Sequence, residues 1–320
     1  VNDKRNREVA DQIIRSRIIK DHRQVDTGKW AIPEDSHLLR TPSAFRDDVI
    51  ALFADQSCKG DRMPASKTHD YLRFRPSEVS IWLGFHESYK STFLNELAAY
   101  WAVSGIGVAI ASLEMPAPIL LHKTVMQVLA KTDPGVPRID DALEVLSEKL
   151  TIYDVTGRVP PNHLISVMRY CALELGVRHF VLDNLTMILS VDNERAAEHQ
   201  AFVANCVTVA RTTGLHIHLV AHSNKPAGGD ESKMPGPYDA RGTGSAPDMA
   251  DNVMVCFRNK VKEDKIDQGK ADDDTYKEPD FILRVAKQRH WGYRGYINYW
   301  LDRRVLRFHQ YGTDEVTAML

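Results

Sequence analysis

Two regimes of hydrophobic patterning divide the chain near residue 78. Upstream, residues 1–40 are highly charged, and Val9, Ile13, Ile14, Ile18 and Ile19 recur at helical spacing without an apolar run long enough for a buried strand. A second helical stretch, Ala44 to Asp55, carries Phe45, Val49, Ile50 and Phe53 and leads into a connector rich in glycine, proline and lysine. Neither stretch holds enough apolar material for a core of its own. Residues 1–77 therefore read as a charged arm and helical linker that contacts another subunit.

From residue 78 to the end at 320, short β-rich apolar runs alternate with longer amphipathic stretches, which predicts one α/β domain with a mainly parallel sheet. The strands are expected at Val79 to Leu83, Val108 to Leu113, Thr151 to Tyr153, His179 to Leu182 and Ile217 to Ala221. After these the helices are expected to stop. Val253 to Phe257, Phe281 to Ala286, Tyr296 to Leu301 and Val305 to Phe308 follow with little between them and predict antiparallel strands that finish one edge of the sheet.

The first strand runs directly into Gly84-Phe85-His86-Glu87-Ser88-Tyr89-Lys90-Ser91-Thr92, and a helical run starts at Phe93. A phosphate loop belongs at this position: backbone N–H groups and a helix N-terminus hold phosphates, a lysine reaches the β- and γ-oxygens, and a hydroxyl ligates Mg²⁺. Lys90 and Ser91 supply those two side chains, with Gly84, Ser88 and Thr92 in the same loop. Tyr89 stands where the usual pattern has glycine, so it either compromises nucleotide binding or repacks outward. Asp183 ends the apolar strand His179 to Leu182 and is placed to hold the metal, and Glu114 follows the second strand, placed to polarise an attacking water.

Composition changes this picture little. The chain has 320 residues, 43% hydrophobic and 26% charged, enough for one large domain plus an appendage. Cys58, Cys171, Cys206 and Cys256 have no paired spacing, which fits a reducing, cytoplasmic compartment and argues against a zinc site. No run of about 18 apolar residues predicts a membrane span. The opening Val1, in place of methionine, suggests a fragment or processed form. A formal charge of −2 conceals an asymmetry: residues 261–280 hold 4 Lys/Arg against 8 Asp/Glu, and 281–310 hold 7 against 1.

Several motifs, in order, resemble those of DnaB-like replicative helicases with a RecA-like core, and most closely the Twinkle and phage primase-helicase branch. Ser112-Leu113-Glu114-Met115-Pro116 resembles the motif bearing the catalytic glutamate, and Val181-Leu182-Asp183-Asn184-Leu185 the metal-site strand. Leu219-Val220-Ala221-His222 resembles the strand whose terminal polar residue senses the γ-phosphate, here His222. Asp239 to Ala246 resembles an Arg-Gly-Ser-Gly segment, and Arg258 falls where the family has an arginine against the nucleotide base. Ala286-Lys287-Gln288-Arg289-His290-Trp291-Gly292-Tyr293-Arg294-Gly295 resembles the motif that reaches into the neighbouring subunit, making Arg289 the arginine finger and Lys287 its companion. The resemblance covers about residues 42 to 310 and departs from the family at Tyr89 and at Asp248, near where relatives place a glutamine.

The resemblance implies a RecA-like P-loop NTPase that uses Mg²⁺ and ATP, or another NTP or dNTP. It implies assembly as a hexameric ring that tracks single-stranded DNA, unwinds duplex 5′ to 3′, and works beside a primase and polymerase in the cytoplasm of a phage- or plasmid-bearing bacterial host. The polar loop after His222 would meet DNA through Lys225, Lys233 and Arg241. The competing expectation, motivated by Tyr89, is a ring protein that kept the fold and DNA binding but lost hydrolysis and serves as an assembly or loading factor.

Overall fold

Strands whose side chains are buried on both faces need helices packed on each side, and the computed structural model has that layering. It describes residues 40–54, 60–188, 196–224, 231–239, 246–311 and 316–320. Lys225, Arg241 and most of the charged arm lie outside the described residues.

The chain separates into two compact units, 1–54 and 55–320. In the first, a 3₁₀ turn at Pro42–Phe45 leads into α1 (Arg46–Ala54), on which Val49, Ile50, Leu52 and Phe53 are exposed. In the second, residues 60–77, which the sequence reading assigned to the connector, contribute Met63, Leu72 and Phe74 to the core. Phe74 is placed there by a short antiparallel bridge to Asp61 and by ring contacts with Trp82 and Trp101.

The domain alternates β1 (Val79–Gly84), α2 (Lys90–Val103), β2 (Val108–Ser112), α3 (Ala117–Leu129), α4 (Val136–Ser147), β3 (Leu150–Ile152), α5 (Pro161–Leu173), β4 (His179–Asp183), α6 (Ala196–Thr213) and β5 (His216–His222). It continues with the short α7 (Ala246–Met249), β6 (Asn252–Arg258), α8 (Lys260–Asp267), α9 (Asp273–Lys277), β7 (Phe281–Gln288), β8 (Gly295–Asp302) and β9 (Arg307–His309). One nine-stranded sheet results, ordered β3-β2-β4-β5-β1-β6-β7-β8-β9. The pairings from β3 through β6 are parallel, and those from β6 through β9 are antiparallel. This is the RecA-like P-loop NTPase core that the patterning and motifs predict.

Successive residues of a strand face opposite sides, and the cores sort accordingly. Val79, Ile81 and Leu83 of β1 pack with Leu164 and Met168 of α5 and Phe202 and Cys206 of α6. Trp82 enters the opposite core, with Phe93, Leu97 and Trp101 of α2 and with Phe281, Tyr299 and Phe308 of the antiparallel strands.

Two expectations need correction. Helices do not stop after β5: α8 and α9 stand between β6 and β7. Both start at polar caps that apolar periodicity does not register, the Asn259 side chain accepting from Lys262 N and Asp272 forming a capping box with Thr275. The last strand begins at Arg307, because Val305 and Leu306 form the turn before it and Leu306 takes a positive φ of 57°.

Candidate nucleotide-hydrolysis site

In a parallel sheet flanked by helices, ligands bind beyond the carboxyl ends of the strands. Gly84, Glu114, Asp183 and His222 all stand at or just beyond such ends, on β1, β2, β4 and β5. Gly84 is required by space, since a Cβ there would approach Cys256 O to 2.5 Å.

Lys90, the first residue of α2, is only 4% exposed. Its ammonium donates to Gly84 O (3.1 Å), Phe85 O (2.6 Å) and Ser88 Oγ (3.2 Å). Burial pushes its pKa down, and the nearby Asp183 and Glu114 charges oppose that shift. A cation caged by its own loop at a helix N-terminus is suited to exchange those acceptors for phosphate oxygens.

Asp183 is buried, which raises its pKa, and a hydrogen bond from Ser91 is the largest opposing influence. A serine hydroxyl against a buried carboxylate is the hard oxygen pair that Mg²⁺ takes when phosphates and water supply its other ligands. Among the described residues no group of three or more His, Cys, Asp or Glu side chains would hold a metal alone. Ser91 and Asp183 thus fit a cation bound together with nucleotide.

Glu114 is held by a neighbour that the sequence reading did not single out as a site residue. Asn184, joined to Asp183 by a cis peptide bond, donates from Nδ2 to Glu114 Oε1 (2.6 Å) and to His222 Nε2 (2.9 Å). Its amide orientation follows from its other end, because Oδ1 accepts from Thr186 N at 3.0 Å and from the Thr186 hydroxyl. His222 Nδ1, on the other side of the ring, is a buried atom with no partner. His222 lies 3.9 Å from Glu114 Oε1. Its influence, with that of the Asn184 amide, keeps the Glu114 carboxyl below the ordinary glutamate range against partial burial. The His86 ring of the phosphate loop stacks on His222, with centroids 5.1 Å apart and planes 4° from parallel.

Tyr89 packs its side chain, half-buried, against Phe308. It takes a left-handed conformation, and its hydroxyl donates to Glu263 Oε1 at 3.0 Å. Arg258, at the end of β6, lies over that ring at 4.6 Å and donates to Glu87 O at 3.2 Å. Thr92 lies in the first turn of α2, and its carbonyl accepts from Gln127 Nε2.

Arg289 and Lys287 are not part of this cluster within the chain. Arg289 pairs with the buried Asp251 at 2.8 Å, and Asp251 also accepts from Val79 N at 3.0 Å. That is the far end of β1 from Gly84, roughly 17 Å away at about 3.3 Å per residue. The Lys287 ammonium donates to Pro247 O and Asp248 O, both at 2.9 Å. Asp248 itself accepts from the Tyr238 hydroxyl at 3.2 Å. Lys233 is exposed.

With this geometry in view, similarity to known proteins decides the family. The AAA domain family matches residues 51–228, more than half of the chain. This chain belongs to that family. No curated protein matches it. Among solved structures, an ATPase domain aligns at a TM-score of 0.66 and 16% identity, covering 88% of this chain and 99% of that one. A DnaB-like replicative helicase, from a structure concerned with its interactions with primase, aligns at 0.65 and 15%, covering 85% of this chain and 67% of that one. At such identities the two likenesses establish a shared fold. The AAA domain, with its phosphate loop and paired carboxylates, makes the protein a nucleoside-triphosphate hydrolase by family. Among its described residues no helix is long and apolar enough to cross a membrane.

Some participants in the AAA domain's site carried little signal in the sequence. Asn184 had one, its place beside Asp183 in the metal-site motif. His86 and Glu263 had none, because their roles come from contacts with His222 and Tyr89, distant in the chain.

Proposed function

We propose that this AAA domain is the motor of a replicative DNA helicase, which hydrolyses ATP or another NTP with Mg²⁺ at sites shared between subunits of a ring. The observation that carries the reading is the division of the chemistry. Lys90, Ser91, Asp183, Glu114 and His222 gather at the carboxyl ends of the strands, while Arg289 is held at the opposite end of β1. A finger that cannot reach its own site serves that of an adjacent subunit.

In the proposed reaction Lys90 leaves the Gly84 and Phe85 carbonyls to bind β- and γ-phosphate oxygens. Ser91 and Asp183 would hold Mg²⁺, which supplies neutralisation of charge on the phosphates. Glu114, kept ionised by its neighbours, takes a proton from the attacking water as the water oxygen bonds to the γ-phosphorus and the bond to the β-phosphate oxygen breaks. Asn184 and His222 position the Glu114 carboxylate. Gly84, Ser88, Thr92 and Arg258, with the backbone of Tyr89, frame the nucleotide, and Arg289 with Lys287 stabilises the transferred charge from the neighbouring subunit.

Oligomerisation is supported by α1, whose exposed Val49, Ile50, Leu52 and Phe53 need a surface to cover them. We assign the arm, within residues 1–77, to docking on an adjacent copy in a hexamer. Single-stranded DNA is assigned to the loop carrying Lys225, Lys233 and Arg241, with 5′ to 3′ travel, and a primase and polymerase are the expected replisome partners. The competing inactive-assembly reading rested on Tyr89, whose side chain turns away onto Glu263 and leaves Lys90 in its cage.

The test is ATP hydrolysis with Mg²⁺, with and without single-stranded DNA, for wild type, Lys90→Ala, Arg289→Ala and mixtures of the two variants. Each variant alone should lose DNA-stimulated turnover, and mixtures should regain part of it. Loss with Arg289→Ala that no mixture restores would refute the shared site. Hydrolysis no higher than that of Lys90→Ala would favour the inactive-assembly reading.

A further inference from the structure

A bulky residue in place of the loop glycine requires something to hold it in a conformation that side chains resist. Two non-glycine residues of the phosphate loop take positive φ, Glu87 at 58° and Tyr89 at 62°. Arg258 contacts both, donating through Nη1 to Glu87 O at 3.2 Å and lying over the Tyr89 ring at 4.6 Å.

The same guanidinium pairs with Glu263 through Nε (2.7 Å) and Nη2 (2.6 Å). Glu263 is buried and also receives the Tyr89 hydroxyl at 3.0 Å and Arg303 at 2.9 Å. Its helix, α8, is anchored in turn: Lys262 binds Glu278 O at 2.6 Å and Asp280 Oδ1 at 2.8 Å. Tyr89 therefore ends on a fixed platform. Phe308 closes the remaining side of its ring, edge-on at 6.1 Å.

We propose that Tyr89, Arg258 and Glu263 form a latch that holds the phosphate loop in its binding shape before nucleotide arrives, with Tyr89 as a positioning residue. The glycine usual at this place achieves the left-handed turn by freedom; here the turn is achieved by tethering. Preorganised in this way, the loop spends less of the nucleotide's binding energy on ordering itself. The inference rests on the nucleotide-binding reading of the loop, but the latch exists in the free protein and can be measured there.

The experiment compares full-length wild type, Tyr89→Phe and Tyr89→Gly, with thermal melting as a control for folding. Hydrogen exchange of peptides spanning 84–91 and 258–263 is followed without nucleotide, and ATP binding and hydrolysis are followed separately. Both variants should exchange faster in these two segments. ATP affinity should weaken by about tenfold for the lost hydrogen bond in Tyr89→Phe, and further in Tyr89→Gly. The loss should fall more on KM than on kcat. Unchanged exchange, or tighter ATP binding by Tyr89→Gly than by wild type, would overturn the latch and make Tyr89 a tolerated substitution. Faster exchange in variants of a protein that binds no ATP would uphold the latch and sink the nucleotide reading instead.

Discussion

Asn184 shows how much a single amide can decide. One NH₂ group serves both Glu114 and His222, and its carbonyl oxygen is anchored on Thr186. Replacing Glu114 with Gln removes the proton acceptor while leaving an amide-sized group in place. Turnover should fall by about 10²–10⁴ with ATP affinity retained, as measured by single-turnover hydrolysis beside equilibrium binding. The pH dependence carries a sign. Because His222 holds the Glu114 carboxyl below its ordinary value, the acid limb of kcat/KM should lie below pH ~4.5, an unperturbed glutamate's range. His222→Ala removes that influence and should move the limb to higher pH; a limb that stays in place would show that His222 does not act on Glu114. Gly84, Lys90, Ser91 and Asp183 were legible as residues because phosphate chemistry demands particular types at fixed spacing behind a strand.

At the scale of elements, the start of the parallel sheet carries a polar network that periodicity alone reads as ordinary strand. His216 and His218 on β5 are buried beside His179 on β4, and burial depresses all three pKa values. His216 bonds Ser80 Oγ (2.8 Å), and His218 accepts from Trp82 Nε1 (3.2 Å). For the two β5 rings, whose pKa values lie well below the ordinary imidazole range, the unfolded chain takes up protons below pH ~6.5 that the fold does not, so their contribution to stability is present above that pH and lost as pH falls. His216 and His218 should each steepen the acid loss below that point. Glu96 on α2 acts with the opposite sign. Burial pushes its carboxyl up to about 7 despite Arg307, so its contribution is full below the unfolded value and lost as pH rises through about 7. Urea unfolding from pH 5 to 8 should therefore give a flatter acid limb for His218→Gln and a steeper one for Glu96→Gln. Identical limbs in all three proteins would contradict both assignments. The elements α8 and α9 escaped the apolar pattern because short, charged, capped helices in the connection between β6 and β7 need no apolar stripe to announce them.

For the whole molecule, the proposed ring makes two separable demands. Phe53 on α1 is 85% exposed, and Phe53→Asp in the full chain should lower the oligomeric state seen by light scattering while leaving the melting temperature of the second unit unchanged. Retention of the oligomer would remove α1 from the contact. Arg289→Ala should leave assembly intact and reduce hydrolysis by about 10³-fold or more, the scale of a lost arginine finger. A variant that hydrolyses normally would show that the pair with Asp251 is the arginine's whole role.

Local patterning was enough to determine the order of strands and helices from β1 through β5, the phosphate loop, and the carboxylates just past β2 and at the end of β4. Alternating strands and helices can close only as a parallel sheet with those ends on one side. What folding alone decided are contacts between residues far apart in the chain: Tyr89 turned onto Glu263, Asn184 shared by Glu114 and His222, and Arg289 tethered to Asp251. Periodicity reports which face a residue presents. It does not report which side chain will meet it there, because that depends on how the sheet brings β1, β5 and β6 side by side.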